Sequence, residues 1–572
     1  MKRIDVPVAI VGAGPVGLAM SLLLGRLGVP CHLIDRRPGP QRSPAAHVVN
    51  ARTLEIFRQA GADMDSILAV AKNPADAGAV YWVDRLGGEV IGRLPFERQG
   101  DEMLELTPTP LRNISQHRLE PVLLQSLAAA SAEGPRYSHQ WCGAQQNASG
   151  VVSTVQALHT GETYEVRSDY LIGADGAGSR VRKWLGIDMS GPERIQSFVM
   201  VHFRADLRSL VRHCPGVLYW ICDPRAGGTM VAHDIDGEWV YMHPWDPDAE
   251  PLDRYDRATC EALVRRAIAA RDIDLSIASV SNWTMTAQVA ESYRLGRVFL
   301  AGDAAHRFPP TGGLGLNTGV QDAHNLAWKL GAVLQESGGP RLLDSYESER
   351  RPVAQNNADQ SLHNAMRLLE VPSALGSLGD PEAAAATMHR TLADPAGQAA
   401  VQSAIANQAE HFDMLGLQLG YRYAEGALLD DGIAGLIAEN CVRQFIPSSR
   451  PGSRLPHGWV EHEGRRVSTL DLIAAGAVTL LAGPAASEWL EAAHRIDPEI
   501  RCLQIGRDLR ECARWWTEVA GMQETGVLLV RPDQHVALRA QNAGEDVEAA
   551  LAEALDALFG RPACGGSVAA CS

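Results

Sequence analysis

The stretch Val6–Arg37, VPVAIVGAGPVGLAMSLLLGRLGVPCHLIDRR, leaves few folds open. Val6 to Val11 is an uncharged apolar run with the length of a buried strand. Gly12, Gly14 and Gly17 follow directly as GxGxxG, and a helical pattern opens at Pro15 and Val16. In such a turn the first glycine permits the tight bend and the second lets a pyrophosphate approach the backbone. The third lets helix and strand pack closely. The helix start offers free N–H groups and a partial positive charge. Asp35 lies eighteen residues past Gly17, at the end of the next strand, where an acid binds ribose hydroxyls. The unit is βαβ, so the chain starts a parallel sheet and a dinucleotide site. The motif does not separate FAD from NAD(P), and Arg36 and Arg37 are compatible with a 2′-phosphate.

Composition narrows the partners. A net charge of −16 and a pI of about 5.6 repel phosphate backbones, so nucleic acid is not expected. With 572 residues, 46% of them hydrophobic, the chain supports about three or four domains. Ten scattered cysteines form no CxxC pair and no metal-type cluster, which reads as reduced thiols, a cytoplasmic protein and no metal site. The basic, apolar start imitates a signal peptide, but Asp5, Pro7 and the glycines interrupt it. No apolar stretch reaches the roughly 20 residues of a membrane span.

Two later stretches repeat the pattern of strand then turn. YLIGADGAGSRVRKWLGI ends a strand at Asp175-Gly176 and continues as DGxxSxxR. Taken alone, it reads equally well as an ordinary helix start capped by Ser179. GRVFLAGDAAH puts Gly302-Asp303 at the end of a buried strand. A carboxylate there needs a polar partner, and a flavin's ribityl hydroxyl would serve. Pro309–Asn317, PPTGGLGLN, then crowds two prolines and three glycines into nine positions. That density reads as a loop whose backbone N–H groups touch a ligand, with a helix beginning near Thr318. Its dipole would favour the negative charge that develops on a flavin's O2 and N1 edge.

GAGPVG, DGAGSRVR and GDAAHRFPPTGGLGLNTGVQDAHNLAWKL, in this order and spacing, resemble the group A flavoprotein aromatic hydroxylases. This is the superfamily of para-hydroxybenzoate and phenol hydroxylases. RTLEIFRQAG and NISQHRLEPVLL match as well, with Gln116 where the family has a residue near the ribityl chain. VLYWICDP and NWTMTAQVAESYRLGRVF are most similar to the chlorophenol and polyketide hydroxylase branch. The resemblance implies one non-covalent FAD, NADPH or NADH as transient co-substrate, and molecular oxygen. It implies hydroxylation of a small aromatic substrate through a C4a-hydroperoxyflavin, ortho to a phenol hydroxyl. Its cofactor contacts fall on Gly12, Gly14, Pro15, Val16, Gly17, Asp35, Arg36, Arg42, Gln116, Asp175, Gly302, Asp303, Pro310, Gly313, Gly315, Leu316 and Asn317.

The expected architecture is α/β, with a discontinuous Rossmann-like FAD-binding domain at 1–187 and 283–435. Residues 341–435 of it form a helical connector. Period-two stretches make 188–282 an antiparallel substrate-binding sheet, joined by strands from about 77–96. Residues 450–560 resemble a thioredoxin-like domain without CxxC, suited to a structural or homodimer-supporting role.

His47 and Pro310 are the catalytic candidates, and Tyr219, Tyr241 and His233 are secondary ones on the substrate sheet. Phenol hydroxylase resembles the stretch SPAAHVVNARTLEIF but carries an aspartate, acting on the substrate hydroxyl, at the position of His47. Apolar sheet residues without a clear arginine pair favour a neutral phenol, and Arg225 stands against that inference. A chlorophenol, a polyketide phenol or a pyridinol would each fit. The competing readings are a flavin halogenase, a flavin reductase or epoxidase, and a flavin-holding protein without turnover. The first lacks its WxWxIP segment here.

Overall fold

The computed structural model describes residues 2–130, 133–270, 272–510, 514–544 and 546–561. The apolar N-terminal run forms the strand Arg3–Val11, buried from Val8 onward, within an eight-stranded sheet. Cys31–Asp35 lies on one side of it and Thr163–Gly173 on the other, followed by Val298–Leu300, all parallel. Parallel strands buried on both faces are uniformly apolar, as these are. The register sets Val11 opposite both Ile34 and Gly173, and Gly173 opposite Leu300. The strands therefore end in line, so Gly12, Asp35, Ala174 and Ala301 emerge on one edge. The helices Pro15–Arg26 and Leu314–Leu334 pack together on one face of this sheet.

A second, seven-stranded sheet runs in the order Ser276–Met285, Gln196–Arg204, Glu238–Trp245, Gly228–Asp234, Leu218–Ile221, Ala79–Val83, Val90–Pro95. Trp283, the expected point of return to the first domain, lies inside its first-named strand. The chain leaves this sheet only after Met285, and Gln288–Ala290 pairs with Met189–Ser190 and His306–Arg307. Alternation gives the sheet two faces. Tyr219, Trp239, Tyr241, Val199 and Val201 face outward into a core closed by the helix Arg257–Ala267. Val80, Trp82 and Trp220 face inward, where Val371, Met388, Val401 and Phe412 of the connecting helices cover one end.

The C-terminal sheet orders Arg501–Gln504, Thr479–Ala482, Val527–Val530 and Val536–Ala540, the first pair parallel and the rest antiparallel. Helices Ser487–Ile496 and Val547–Phe559 pack on it. Cys502 is free, while Cys512, Cys564 and Cys571 lie outside the described residues. Buried charges tie this unit to the rest. Arg531 and Lys329 both bond Glu349, at 2.8 and 2.7 Å, and Arg454 bonds Glu55 at 2.5 Å. Burial alone would raise the Glu349 carboxyl, but Arg531 and Lys329 outweigh it and hold it at about 2. Among the described residues, no helix is long and apolar enough to cross a membrane.

Candidate active site

The aligned strand ends wall a cavity of about 340 Å³. Gly12, Gly14, Pro15, Val16, Asp35, Arg36, Gln116, Asp175, Asp303 and Leu316 all line it, so motifs spread over half the chain meet in one place. This is the carboxyl edge of a parallel sheet, where such folds bind ligands. Gly12 has φ +107°, and a Cβ there would sit 2.1 Å from Ala174 O. No side chain fits. Gly14 faces open space and starts the helix with no side-chain cap, leaving its N–H groups to a ligand. A Cβ on Gly17 would fall 1.8 Å from Gly12 O, so this glycine serves packing.

The three acids differ. Asp35 accepts from Ala13 N at 2.8 Å and Arg37 N at 2.7 Å and is ion-paired to the Arg37 side chain. It holds the glycine turn as well as facing the cavity. Asp175 accepts from Ser179 Oγ, Arg180 N and Val181 N, so it and the N-cap Ser179 secure a helix start. Among the described residues, no hydrogen bond reaches the Asp303 carboxylate. It is exposed to the cavity, and desolvation by the surrounding walls pushes it up against the pull of His306 and Arg307. A ligand's hydroxyls would supply a partner, so this unpartnered acceptor fits a flavin's ribityl chain. Gln116 lines the same wall, held by Glu120 at 2.8 Å. Arg42 is exposed and does not line the cavity.

The glycine-rich stretch is not the loop expected. The helix begins at Leu314, four residues before Thr318, with Gly313 as its left-handed N-cap at φ +63°. Its first-turn N–H groups belong to Leu314, Gly315, Leu316 and Asn317, beside Asp303. A Cβ on Gly315 would lie 3.9 Å from Asp303 Oδ1. Asn317 is a clamp, donating to Val48 O at 2.9 Å and accepting from Asn50 N and Thr53 Oγ1. It pins this helix to the His47 segment. Pro310 is exposed, and its carbonyl accepts from Gly313 N at 3.0 Å. A Cβ on Gly313 would fall 2.6 Å from Val48 Cβ. Gly313→Val therefore breaks the cap and pushes Val48 away. The expected result is slower flavin reduction by NAD(P)H in stopped flow even with substrate bound, and an unchanged rate would remove this loop from that step.

Sequence reading missed other contributors. His139, Gln140 and Trp141 also line the cavity with no motif to mark them, as do Arg37 and Arg180, which lie within the motif stretches but to which the resemblance assigns no cofactor contact. Asp322 is fully buried and accepts from Gly302 N, His306 and Arg350, fixing the turn that carries Asp303.

Ala46 lines the cavity, and the next residue, His47, turns toward the substrate sheet. Its ring meets that of His233 edge-on at 5.5 Å, and its Nδ1 lies 3.1 Å from Asn113 Oδ1. Burial pushes His47 down to about 4, opposed by the Asn113 hydrogen bond and assisted by Lys72. His233 bonds Ser115 at 2.5 Å, and burial, then His47, hold it well below its usual range. Lys72, bonded to Gly216 O and Ala232 O, is pushed by burial down to about 7. Beside this cluster the inner sheet face presents Phe198, Met200, Leu218, Trp220, Thr229, Met242 and Trp283, all half-buried. Tyr219 and Tyr241 are not brought here. They lie on the opposite face, donating to Cys214 O and to Ala226 O and Gly227 O. Arg225 is paired to Asp223 at 2.9 Å and does not join the site.

Comparison with known proteins agrees with this geometry. Residues 5–361 match the FAD binding domain model, and 448–562 match the aromatic-ring hydroxylase C-terminal model. The chain is 34% identical to 2,4-dichlorophenol 6-monooxygenase of Delftia acidovorans, over 96% of this chain and 98% of that one. It is 33% identical to tetracenomycin B2 monooxygenase-dioxygenase of Streptomyces olivaceus, over 98% and 100%. The structure of the flavin-dependent monooxygenase PieE in complex with FAD and substrate superposes with a TM-score of 0.92 at 36% identity, covering 98% of this chain and 100% of that chain.

Proposed function

The chain belongs to the FAD-dependent aromatic-ring hydroxylases, flavoprotein monooxygenases using NAD(P)H and oxygen, and from that premise we propose that it hydroxylates a neutral phenol ortho to its hydroxyl, with His47 accepting the phenolic proton. One observation carries the proposal: His47 stands between the cavity wall at Ala46 and the half-buried apolar face of the substrate sheet. The cofactor's phosphates would rest on the Gly12–Gly17 turn, its ribityl chain at Asp303 and Gln116, and its ring at the Leu314–Asn317 helix start. When bound, FAD supplies hydride acceptance and oxygen activation.

The rest falls to this chain's residues. The apolar face excludes water and orients the aromatic ring. His47 takes the proton, which raises electron density at the ortho carbon. Lys72, held on two backbone carbonyls and pushed by burial to about 7, would favour the developing phenolate in its protonated form. The apolar strip crosses five strands, about 20 Å at the usual strand spacing, and this width favours a fused-ring phenol over a single ring. The test is a panel of one-ring and fused-ring phenols and their O-methyl ethers, given to the FAD-loaded enzyme. Free phenols should accelerate NAD(P)H oxidation and yield ortho-diols, with the ethers inert. Equal hydroxylation of the ethers, or para products, would refute the proton-acceptor reading.

A further inference from the structure

The hydrogen-bond directions around His47 are fixed from outside, and we infer that Gln99 and Asn113 together set its tautomer, placing the proton on Nδ1 and leaving Nε2 as the accepting nitrogen. The importance of this for catalysis rests on the reading of His47 as proton acceptor. The tautomer itself does not.

The chain of hydrogen bonds begins at two backbone carbonyls. Gln99 is buried, and its side-chain nitrogen lies 3.1 Å from Ala77 O and 3.0 Å from Phe96 O. Carbonyl oxygens only accept, so the amide N–H₂ of Gln99 must face them. Its Oε1 then faces the other way, 3.1 Å from the side-chain nitrogen of Asn113. An acceptor at that point requires a donor, so Asn113 must turn its N–H₂ toward Gln99. Its Oδ1 is thereby turned to His47 Nδ1, 3.1 Å away. Reversing Asn113 would set its oxygen against that of Gln99 and leave the Gln99 oxygen without its donor. Reversing Gln99 would set its oxygen against both carbonyls. Each choice is forced by the one before, so the ordinary ambiguity of amide and imidazole orientation is removed.

The backbone keeps the members in register. Val48 pairs with Asn113 in a short antiparallel ladder, and Ile114 N donates to His47 O at 2.7 Å. Asn113 is buried. The tautomer is meaningful only for a neutral ring, and burial keeps His47 neutral near physiological pH. The titratable groups facing it are His233 and Lys72, and neither bonds its Nδ1. Gln99 and Asn113 are positioning residues in this arrangement, acting on the substrate only through His47.

The test reads the tautomer directly. Holoenzyme with ¹⁵N-labelled histidine is studied at pH 7.5 by two-bond ¹H–¹⁵N correlation, the His47 signals being those lost in His47→Gln. The expected result is a protonated Nδ1 and an unprotonated Nε2 in the wild type. A protonated Nε2 overturns the inference whatever the kinetics show. Gln99→Leu should then yield mixed tautomers, with FAD content unchanged and hydroxylation lowered on the order of 10-fold or more, as expected when a catalytic histidine is held in the wrong tautomer. Mixed tautomers with wild-type hydroxylation would uphold the inference and instead refute His47 as the proton acceptor. A single Nδ1–H tautomer persisting in both Gln99→Leu and Asn113→Leu would overturn the roles given to those two residues.

Discussion

Asp303→Ala is expected to emerge from purification largely without its flavin. The wild-type carboxylate stands on the turn Gly302–Ala304 just past a buried strand, faces the cavity and takes no hydrogen bond from the described residues. Desolvation by the surrounding protein pushes its pKa up, the direction expected for a charge without a hydrogen-bond partner. Hydroxyls of a ribityl chain would supply that partner. Hydrogen bonds to charged groups contribute about 1.5–3 kcal/mol each, so losing one or two weakens FAD by roughly 10- to 10⁴-fold. The ratio of flavin to protein absorbance and a fluorescence titration of the apoprotein with FAD both report it. A variant as yellow and as active as the wild type would show that this carboxylate does not hold the cofactor.

His47→Ala should keep FAD and basal NAD(P)H oxidation yet lose about 10²-fold or more in hydroxylation, the usual scale for a positioned acid–base group. More of the consumed oxygen should appear as hydrogen peroxide. A phenol has a pKa near 10, and burial holds His47 near 4. A gap of about six units means that His47 does not strip the phenol on binding. As the proposed acceptor it would hold a hydrogen bond from the phenol in the resting complex and draw the proton away as the ring is attacked, raising electron density at the ortho carbon during that step. The sign follows for pH. The depressed value leaves His47 neutral above about pH 5, so it adds no acid limb to the rate between pH 6 and 9. Its contribution to stability is complete above its unfolded value near 6.5 and is lost as pH falls toward 4. A variant that hydroxylates with wild-type rate and coupling across pH 6 to 9 removes His47 from the mechanism.

The cofactor end of this site was legible in the sequence because its information is local. Gly12, Asp35, Asp175 and Asp303 each lie at a strand end or within three residues of it, and parallel register brings strand ends together. The helix start was not legible. Glycine costs up to about 1 kcal/mol in a helix interior, so Gly315 argued for a loop. The bonds from Asn317 to Val48 and Asn50 override that preference. Period-two patterning showed that Tyr219 and Trp220 point to opposite sides but not which side is covered. The helix Arg257–Ala267, distant in the chain, decides it. Gln99 and Asn113 carry no motif, since their roles come from bonds to carbonyls and to a ring brought near only by folding.

The central claim is that this chain transfers one atom of oxygen to a phenol at the expense of NAD(P)H. The direct measurement is turnover under ¹⁸O₂ with a phenol that stimulates NAD(P)H oxidation, followed by mass analysis of the product. The account predicts one ¹⁸O in an ortho-diol, with product formed in near-equal amount to NAD(P)H consumed. Oxidation of NAD(P)H with the phenol unchanged and all the ¹⁸O recovered as peroxide or water, for every phenol tried, would contradict it.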